Sequence, residues 1–244
     1  MSAPKKDRVD ALLVARGLCD SREQAKRLIL AGEVRSGDSP IDKPSTKLPT
    51  DAPLDVRERP KFVGRGGFKI EGALNAFDIH PDGWTCLDIG SSTGGFTDCL
   101  LQRGAARVHA IDVGTNQLVW KIRSDPRVVS KEKFNARNLT QEDLGEVVRL
   151  VVIDVSFISL TKILPAAFAV LEPGGMIVCL IKPQFELARE EVGKGGIIRD
   201  EALREKAVAK IHSFVSQIGR EWRGCVPSQL AGTDGNQEFL AWLA

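Results

Sequence analysis

From Arg8 to Val34 the apolar residues recur at helical spacing, as Val9, Leu12 and Leu13 and then Ala25, Leu28 and Ile29. The pattern predicts two short helices, the first ended by Gly17 and the second capped by Ser21 and stopped at Gly32. Glu33-Val34-Arg35 then reads as a strand entering a Ser36-Gly37-Asp38 turn. Five prolines between residues 40 and 60 mark strand-and-loop material that closes in a linker. Beyond Gly66 the pattern changes to apolar strands alternating with amphipathic helices, as in a doubly wound parallel sheet. Strands are expected over 84–89, 107–113, 128–134, 150–155, 176–181, 221–226 and 238–243. Helices are expected over 94–103, 161–171 and 200–218, the second of these stopped by Pro173-Gly174-Gly175.

A chain of 244 residues accommodates one large α/β domain and a smaller appendage. Its apolar runs are too short to span a bilayer, and no apolar signal segment follows Lys5-Lys6. The five cysteines are odd in number and lack a C-x-x-C pair, which predicts reduced, mostly buried thiols, no zinc site and a cytoplasmic setting. A net charge of +2 becomes informative only when divided. Residues 1–65 carry 14 Lys and Arg against 10 Asp and Glu, leaving 20 basic and 22 acidic residues for the remainder. The positive surplus therefore lies in the N-terminal quarter, where a phosphate backbone would be attracted first.

The strand Thr85-Cys86-Leu87-Asp88-Ile89 runs into Gly90-Ser91-Ser92-Thr93-Gly94-Gly95-Phe96, a turn through which a ligand can approach the backbone closely. The turn is neither G-x-G-x-x-G nor a P-loop, which disfavours dinucleotides and nucleoside triphosphates. The next strand ends at Asp112, about 20 residues on, where an acid accepts hydrogen bonds from ribose hydroxyls. A ribose acceptor without a phosphate cradle fits a nucleoside such as S-adenosylmethionine. Asn135-Ala136 follows the third strand, where a loop closes over an adenine edge. Asp154-Val155-Ser156-Phe157 ends the fourth strand and lacks the Pro-Pro-aromatic segment frequent in enzymes that methylate exocyclic amines. Lys182 ends the fifth strand, where a buried lysine demands partners. Lys69 precedes the glycine turn, and Glu238 opens the last strand.

In chain order, Lys69, Asp154, Lys182 and Glu238 resemble the Lys-Asp-Lys-Glu tetrad of FtsJ-type ribose 2′-O-methyltransferases. The first 60 residues resemble the small RNA-binding domain of the S-four type, through Arg8-Val9-Asp10, Leu13, Ser21-Arg22, Ala25, Ile29, Gly32 and Val34. Almost end to end, the chain resembles the TlyA family of haemolysin-named ribosomal RNA methyltransferases. The motifs are Arg65-Gly66-Gly67-x-Lys69, Asp88-Ile89-Gly90-Ser91-Ser92-x-Gly94-Gly95-Phe96, Asp154-Val155-Ser156-Phe157-Ile158-Ser159, Lys182-Pro183-Gln184-Phe185-Glu186 and Gly235-Asn236-x-Glu238-Phe239-Leu240. One departure is Lys61-Phe62, where the family pattern has a tryptophan before Val63.

The resemblance implies a Rossmann-like, class I S-adenosylmethionine-dependent methyltransferase sheet (α/β) behind a small α+β RNA-binding domain. The expected boundaries are 1–58 for the RNA-binding domain, 59–65 for a linker and 66–244 for the FtsJ-like domain. The implied reaction is 2′-O-methylation of cytidine in ribosomal RNA or ribosomal subunits. A ribose hydroxyl is a weak nucleophile, so its proton must leave as it attacks. Lys182 is the candidate base, oriented by Asp154, and Glu238 orients Lys69 or the ribose. Asp88, Gly90, Ser91, Ser92, Gly94, Phe96, Asp112, Asn135, Ala136 and Asp154 are the expected cofactor residues. Arg8, Arg22, Lys26, Arg27, Arg65, Arg189 and Lys194 are the expected RNA contacts, the last two in a glycine-rich loop. Competing readings are a membrane-active haemolysin, with the 200–218 helix as its one candidate segment, a non-catalytic RNA-binding protein, and a small-molecule methyltransferase.

Overall fold

In the computed structural model, which describes residues 5–57, 60–193 and 195–244, a short strand β1 (Lys6–Arg8) leads into α1 (Val9–Ala15) and α2 (Arg22–Leu30). The Ser21 hydroxyl caps α2 by accepting from Gln24 N at 3.2 Å. Strands β2 (Val34–Ser36) and β3 (Ser39–Pro40) pair across a turn in which Gly37 takes φ +57°, a left-handed conformation open to glycine. Strand β4 (Lys47–Pro49) pairs with β1, and β5 (Asp55–Val56) with β2. The apolar positions that signalled the helices, Val9, Leu12, Leu13, Ala25 and Ile29, join Val34 in one buried cluster. Asp10 is buried among them at 0% exposure, where its carboxylate accepts from the Arg8 guanidinium at 2.9 Å twice and from Arg22 at 3.0 Å. That arrangement ties α2 to the start of α1.

The chain divides into two compact units, Met1–Lys61 and Phe62–Ala244. The second unit thus begins before Gly66, inside the expected linker. Phe62 is 2% exposed, packs edge-on against Phe68 with ring centroids 5.1 Å apart, and is followed by Val63, whose N–H donates to Asp98 Oδ2. Burying the Phe62 ring recruits these residues to the core. Arg59, at the expected start of the linker, lies outside the described residues.

The second unit runs α3 (Gly66–Ala76), β6 (Thr85–Ile89), α4 (Gly95–Gln102), β7 (Arg107–Ile111), α5 (Trp120–Arg123), β8 (Val128–Lys131), α6 (Gln141–Leu144), β9 (Val148–Ile153), α7 (Leu164–Ala169), β10 (Leu171–Ile181), α8 (Pro183–Glu186), α9 (Glu201–Gln217), β11 (Trp222–Pro227) and β12 (Phe239–Leu243). Its sheet has the order β11-β12-β10-β9-β6-β7-β8, parallel from β10 to β8 and antiparallel at β12 and β11. The central strands are apolar throughout because helices cover both faces: Val148 and Leu150 to Ile153 of β9 are all fully buried.

Pro173-Gly174-Gly175 does not end a helix directly. Helix α7 stops at Ala169 and β10 already pairs at Leu171, while the Pro-Gly-Gly triplet forms an irregularity inside the strand before register resumes at Met176. The chain builds β6, β7 and β8 outward in one direction and then returns to lay β9 on the other side of β6. That reversal opens a crevice at the carboxyl ends of β6 and β9, the place where open α/β sheets bind ligands.

Candidate active site

Gly90 ends β6 at φ +84°, and a methyl group on it would lie 2.2 Å from the Asp154 carbonyl oxygen at the end of β9. Only glycine lets the two strand ends approach so closely, and this closeness forms the floor of the crevice. Above it is a cavity of about 350 Å³, lined by Ile89, Gly90, Ser92, Ile111, Asp112, Val113, Gln117, Phe134, Asn135, Ala136, Asp154, Val155, Ser156, Phe157, Ile158 and Ile163. Asp112 stands at its edge, accepting from Ser92 N at 2.9 Å through Oδ2 and from Gly114 N at 2.7 Å through Oδ1. A carboxylate has about four acceptor positions, so these two bonds fix the group and leave capacity for ligand hydroxyls. Two non-glycine residues with positive φ, Ser92 at 46° and Phe157 at 64°, line the same cavity. Backbone strain of this kind concentrates at ligand sites.

A second cavity of about 260 Å³ is lined by Arg65, Gly66, Lys69, Gly90, Ser92, Asp154, Ser156, Lys182, Thr233 and Glu238. All four tetrad residues meet there. Lys69 Nζ lies 2.5 Å from Glu238 Oε2, with both side chains buried. Lys182 Nζ pairs with Asp154 Oδ1 at 2.7 Å and donates a hydrogen bond to Ser156 Oγ at 2.9 Å. Asp154 Oδ1 is buried and is held by this ion pair rather than by an aligned hydrogen bond. Gly90, Ser92 and Asp154 line both cavities, which therefore adjoin at the strand ends.

The expected cofactor residues separate into two groups. Gly90, Ser92, Asp112, Asn135, Ala136 and Asp154 line the larger cavity, and Ser91 and Phe96 line a small recess of about 110 Å³ beside it. Asp88 and Gly94 do neither. Asp88 is fully buried beneath the turn, where Thr97 N and Thr97 Oγ1 donate to it at 3.0 and 2.6 Å. Burial pushes its carboxyl up to about 7, partly offset by the Thr97 bonds. Its place is to tie β6 to α4, with no contact to the cavity. Gly94 takes φ +96°, and a side chain there would press on Leu118 and Ile122.

Ser156, Phe134, Ile158, Ile163, Gln117 and Thr233 were missed as site residues. Ser156 and Ile158 lie inside the quoted Asp154 motif and Phe134 immediately precedes Asn135, so a signal existed for these. Gln117, Ile163 and Thr233 carried none.

The basic residues expected to meet RNA are unequal. Arg8 and Arg22 are engaged with Asp10, and Lys26 lies 3.6 Å from Glu23. Arg27 is exposed on α2, and Arg189 is exposed in a single 3-10 turn. Arg65 donates to the Ala231 carbonyl at 3.0 Å at the edge of the tetrad cavity. Lys194 lies outside the described residues. Among the described residues no helix is long and apolar enough to cross a membrane. The 200–218 helix, the haemolysin reading's one candidate, buries Ala207, Ile211 and Val215 within its own unit.

Known proteins resemble this chain over both units. The FtsJ-like methyltransferase family matches residues 62–244, and the S4 domain matches residues 7–52. The 16S/23S rRNA (cytidine-2′-O)-methyltransferase TlyA of Mycobacterium tuberculosis is 48% identical over 98% of this chain and 90% of its own length. A protein of Brachyspira hyodysenteriae named Hemolysin A is 44% identical over 96% of this chain and 98% of its own. A solved structure from Streptococcus thermophilus, also named a hemolysin, superposes with a TM-score of 0.74 at 44% identity, covering 99% of this chain and 89% of that one. A methyltransferase-named protein and a haemolysin-named protein are thus both similar to this chain almost end to end. With the family match spanning the whole second unit and relatives aligned almost end to end, this chain belongs to the FtsJ-like methyltransferases and, among them, to the TlyA family.

Proposed function

We propose that the protein transfers a methyl group from S-adenosylmethionine to the ribose 2′-hydroxyl of cytidine in ribosomal RNA, in the cytoplasm, with Lys69, Asp154, Lys182 and Glu238 as its catalytic residues. The observation that carries this reading is the junction of the two cavities at Gly90, Ser92 and Asp154. A nucleoside pocket on one side and a lysine-rich acceptor pocket on the other fit a reaction between two bound molecules. The residues suit S-adenosylmethionine: Asp112 offers ribose-accepting oxygens, Ile111, Phe134, Ala136 and Ile158 offer an apolar wall, and Asp154 brings a carboxylate to the junction. When bound, that cofactor supplies a methyl group already activated on a sulfonium.

The protein's own task is then to hold the hydroxyl and take its proton. Lys182 Nζ, fixed between Asp154 and Ser156, is the base that receives the proton as the neutral amine. Lys69 lines the same cavity and is held there by Glu238, so it stabilises negative charge growing on the ribose oxygen. Holding two reactants in attack geometry supplies much of the acceleration, on the scale of about 7–11 kcal/mol for well-oriented pairs. Family membership and the S4 match support ribosomal RNA as the substrate, and the tetrad supports ribose oxygen over base nitrogen.

The test is a double dissociation. Lys182→Ala should abolish transfer of labelled methyl to ribosomal RNA while calorimetry shows nearly unchanged cofactor affinity. Asp112→Ala should weaken cofactor binding by about 1–3 kcal/mol, the cost of a lost buried acceptor. Near-normal turnover in Lys182→Ala at saturating cofactor and RNA would remove the tetrad from the mechanism.

A further inference from the structure

Glu186 is a buried charge that this chemistry leaves unused. It is 3% exposed and ends α8, the one-turn helix that begins directly after Lys182. Its Oε1 accepts from Leu160 N at 2.8 Å and its Oε2 accepts from Ser159 Oγ at 2.5 Å. Both donors belong to the loop that leaves β9 through Asp154 and Ser156. On the other side, Lys210 of α9 donates to the Glu186 carbonyl at 2.5 Å, with Nζ 3.5 Å from Oε2. The two segments meet again at Phe157 and Phe185, whose ring centroids are 5.1 Å apart. Burial raises the Glu186 carboxyl above the usual range, and the Ser159, Leu160 and Lys210 contacts oppose that rise. A carboxylate so desolvated is costly unless its bonds hold something in place.

We propose that Glu186 is a positioning residue for methyl transfer: by bonding Ser159 and Leu160 it fixes the loop bearing Asp154 and Ser156 against the turn bearing Lys182, and so sets the distances at which those groups face the ribose. The inference rests on the methyltransferase reading for its kinetic consequence, but its structural content stands apart from turnover. Lys182 reaches Ser156 Oγ at 2.9 Å and Asp154 at 2.7 Å only while the ends of β9 and β10 keep this register. Displacements near 1 Å in such a site lower rates about 100-fold.

Three variants of the full chain test this. Glu186→Ala removes both bonds. Glu186→Gln keeps an oxygen for Leu160 N and supplies an amide that donates to Ser159 Oγ. Ser159→Ala removes one bond while leaving the buried carboxylate its Leu160 and Lys210 partners. The account expects kcat at saturating RNA and cofactor to fall about 10- to 100-fold in Glu186→Ala, more than cofactor affinity falls, and to return near wild type in Glu186→Gln. Acetylation of Lys182 by acetic anhydride, read by peptide mass spectrometry against the exposed Lys162, needs no turnover. It should quicken in Glu186→Ala and in Ser159→Ala, because an amine released from Asp154 and Ser156 is more open to the reagent, and stay at the wild-type rate in Glu186→Gln. If Glu186→Ala fails to fold, Ser159→Ala carries the test alone. Wild-type kcat and wild-type Lys182 labelling in the folded variants would overturn the proposal, as would a Glu186→Gln protein as impaired as Glu186→Ala. A wild-type protein that transfers no methyl group while Lys182 labelling still follows Glu186 would sink the function and leave the positioning intact.

Discussion

At the scale of single residues, one chemical type takes different roles according to what surrounds it. Asp88, Asp112 and Asp154 stand at or near the carboxyl ends of three neighbouring strands. Only the last two reach the cavity, while Asp88 turns inward to Thr97. Because burial raises the Asp88 carboxyl to about 7, it holds a proton in the folded state that the unfolded chain releases near pH 4. The unfolded state then binds fewer protons between those values, so stability should fall as pH rises from about 4 to about 7, by at most about 4 kcal/mol. Asparagine at position 88 still accepts from Thr97 and cannot ionise. Melting temperatures of wild type and Asp88→Asn across pH 5 to 8 should therefore diverge, with the wild type losing more on the alkaline side. Parallel curves would show that Asp88 does not titrate in this window. The sequence marked Asp88 through its motif, but whether a strand-end acid points outward or inward is decided by packing against the next helix, which no spacing reveals.

Elements were legible where a periodic pattern met a physical stop. Ser21 capping α2 and the strand-turn-helix at Gly90 follow directly from residue types whose conformations are narrow. Pro173-Gly174-Gly175 was misread because it interrupts either a helix or a strand, and the pairing of Leu171 with Val148, a contact distant in sequence, selected the strand. Arg22 was read as an RNA contact because helical spacing places it on a basic face, whereas the structure spends it on Asp10, a residue twelve positions earlier. Arg8, foremost, and Arg22 hold the Asp10 carboxyl down to about 2. A depressed carboxylate contributes stability that is complete above its unfolded value near pH 4 and is lost as pH falls through about 2. Acid titration of the full chain, followed by amide exchange of α1 and α2, should show these helices loosening in that interval. Asp10→Asn should loosen them already at neutral pH; equal protection in both proteins would mean the ion pairs do not hold α2.

For the whole molecule, the charge distribution motivates a proposed division of labour between units, and the four residues that line the tetrad cavity are spread over 170 residues of sequence that only the sheet topology brings together. The N-terminal unit is proposed to anchor RNA through its exposed cations, which makes Arg27 and Arg35 better probes than Arg22. Reversing both to Glu should weaken ribosomal RNA binding and flatten its salt dependence while cofactor affinity holds, since phosphate contacts carry the salt slope. Identical slopes across a salt series would move the anchor elsewhere. The central claim concerns the atom that is methylated. Ribosomal RNA incubated with this protein and isotope-labelled S-adenosylmethionine, digested to nucleosides and resolved by mass spectrometry, should yield label in 2′-O-methylcytidine. Label in a base-methylated nucleoside, or none in RNA from either ribosomal subunit, would contradict the account.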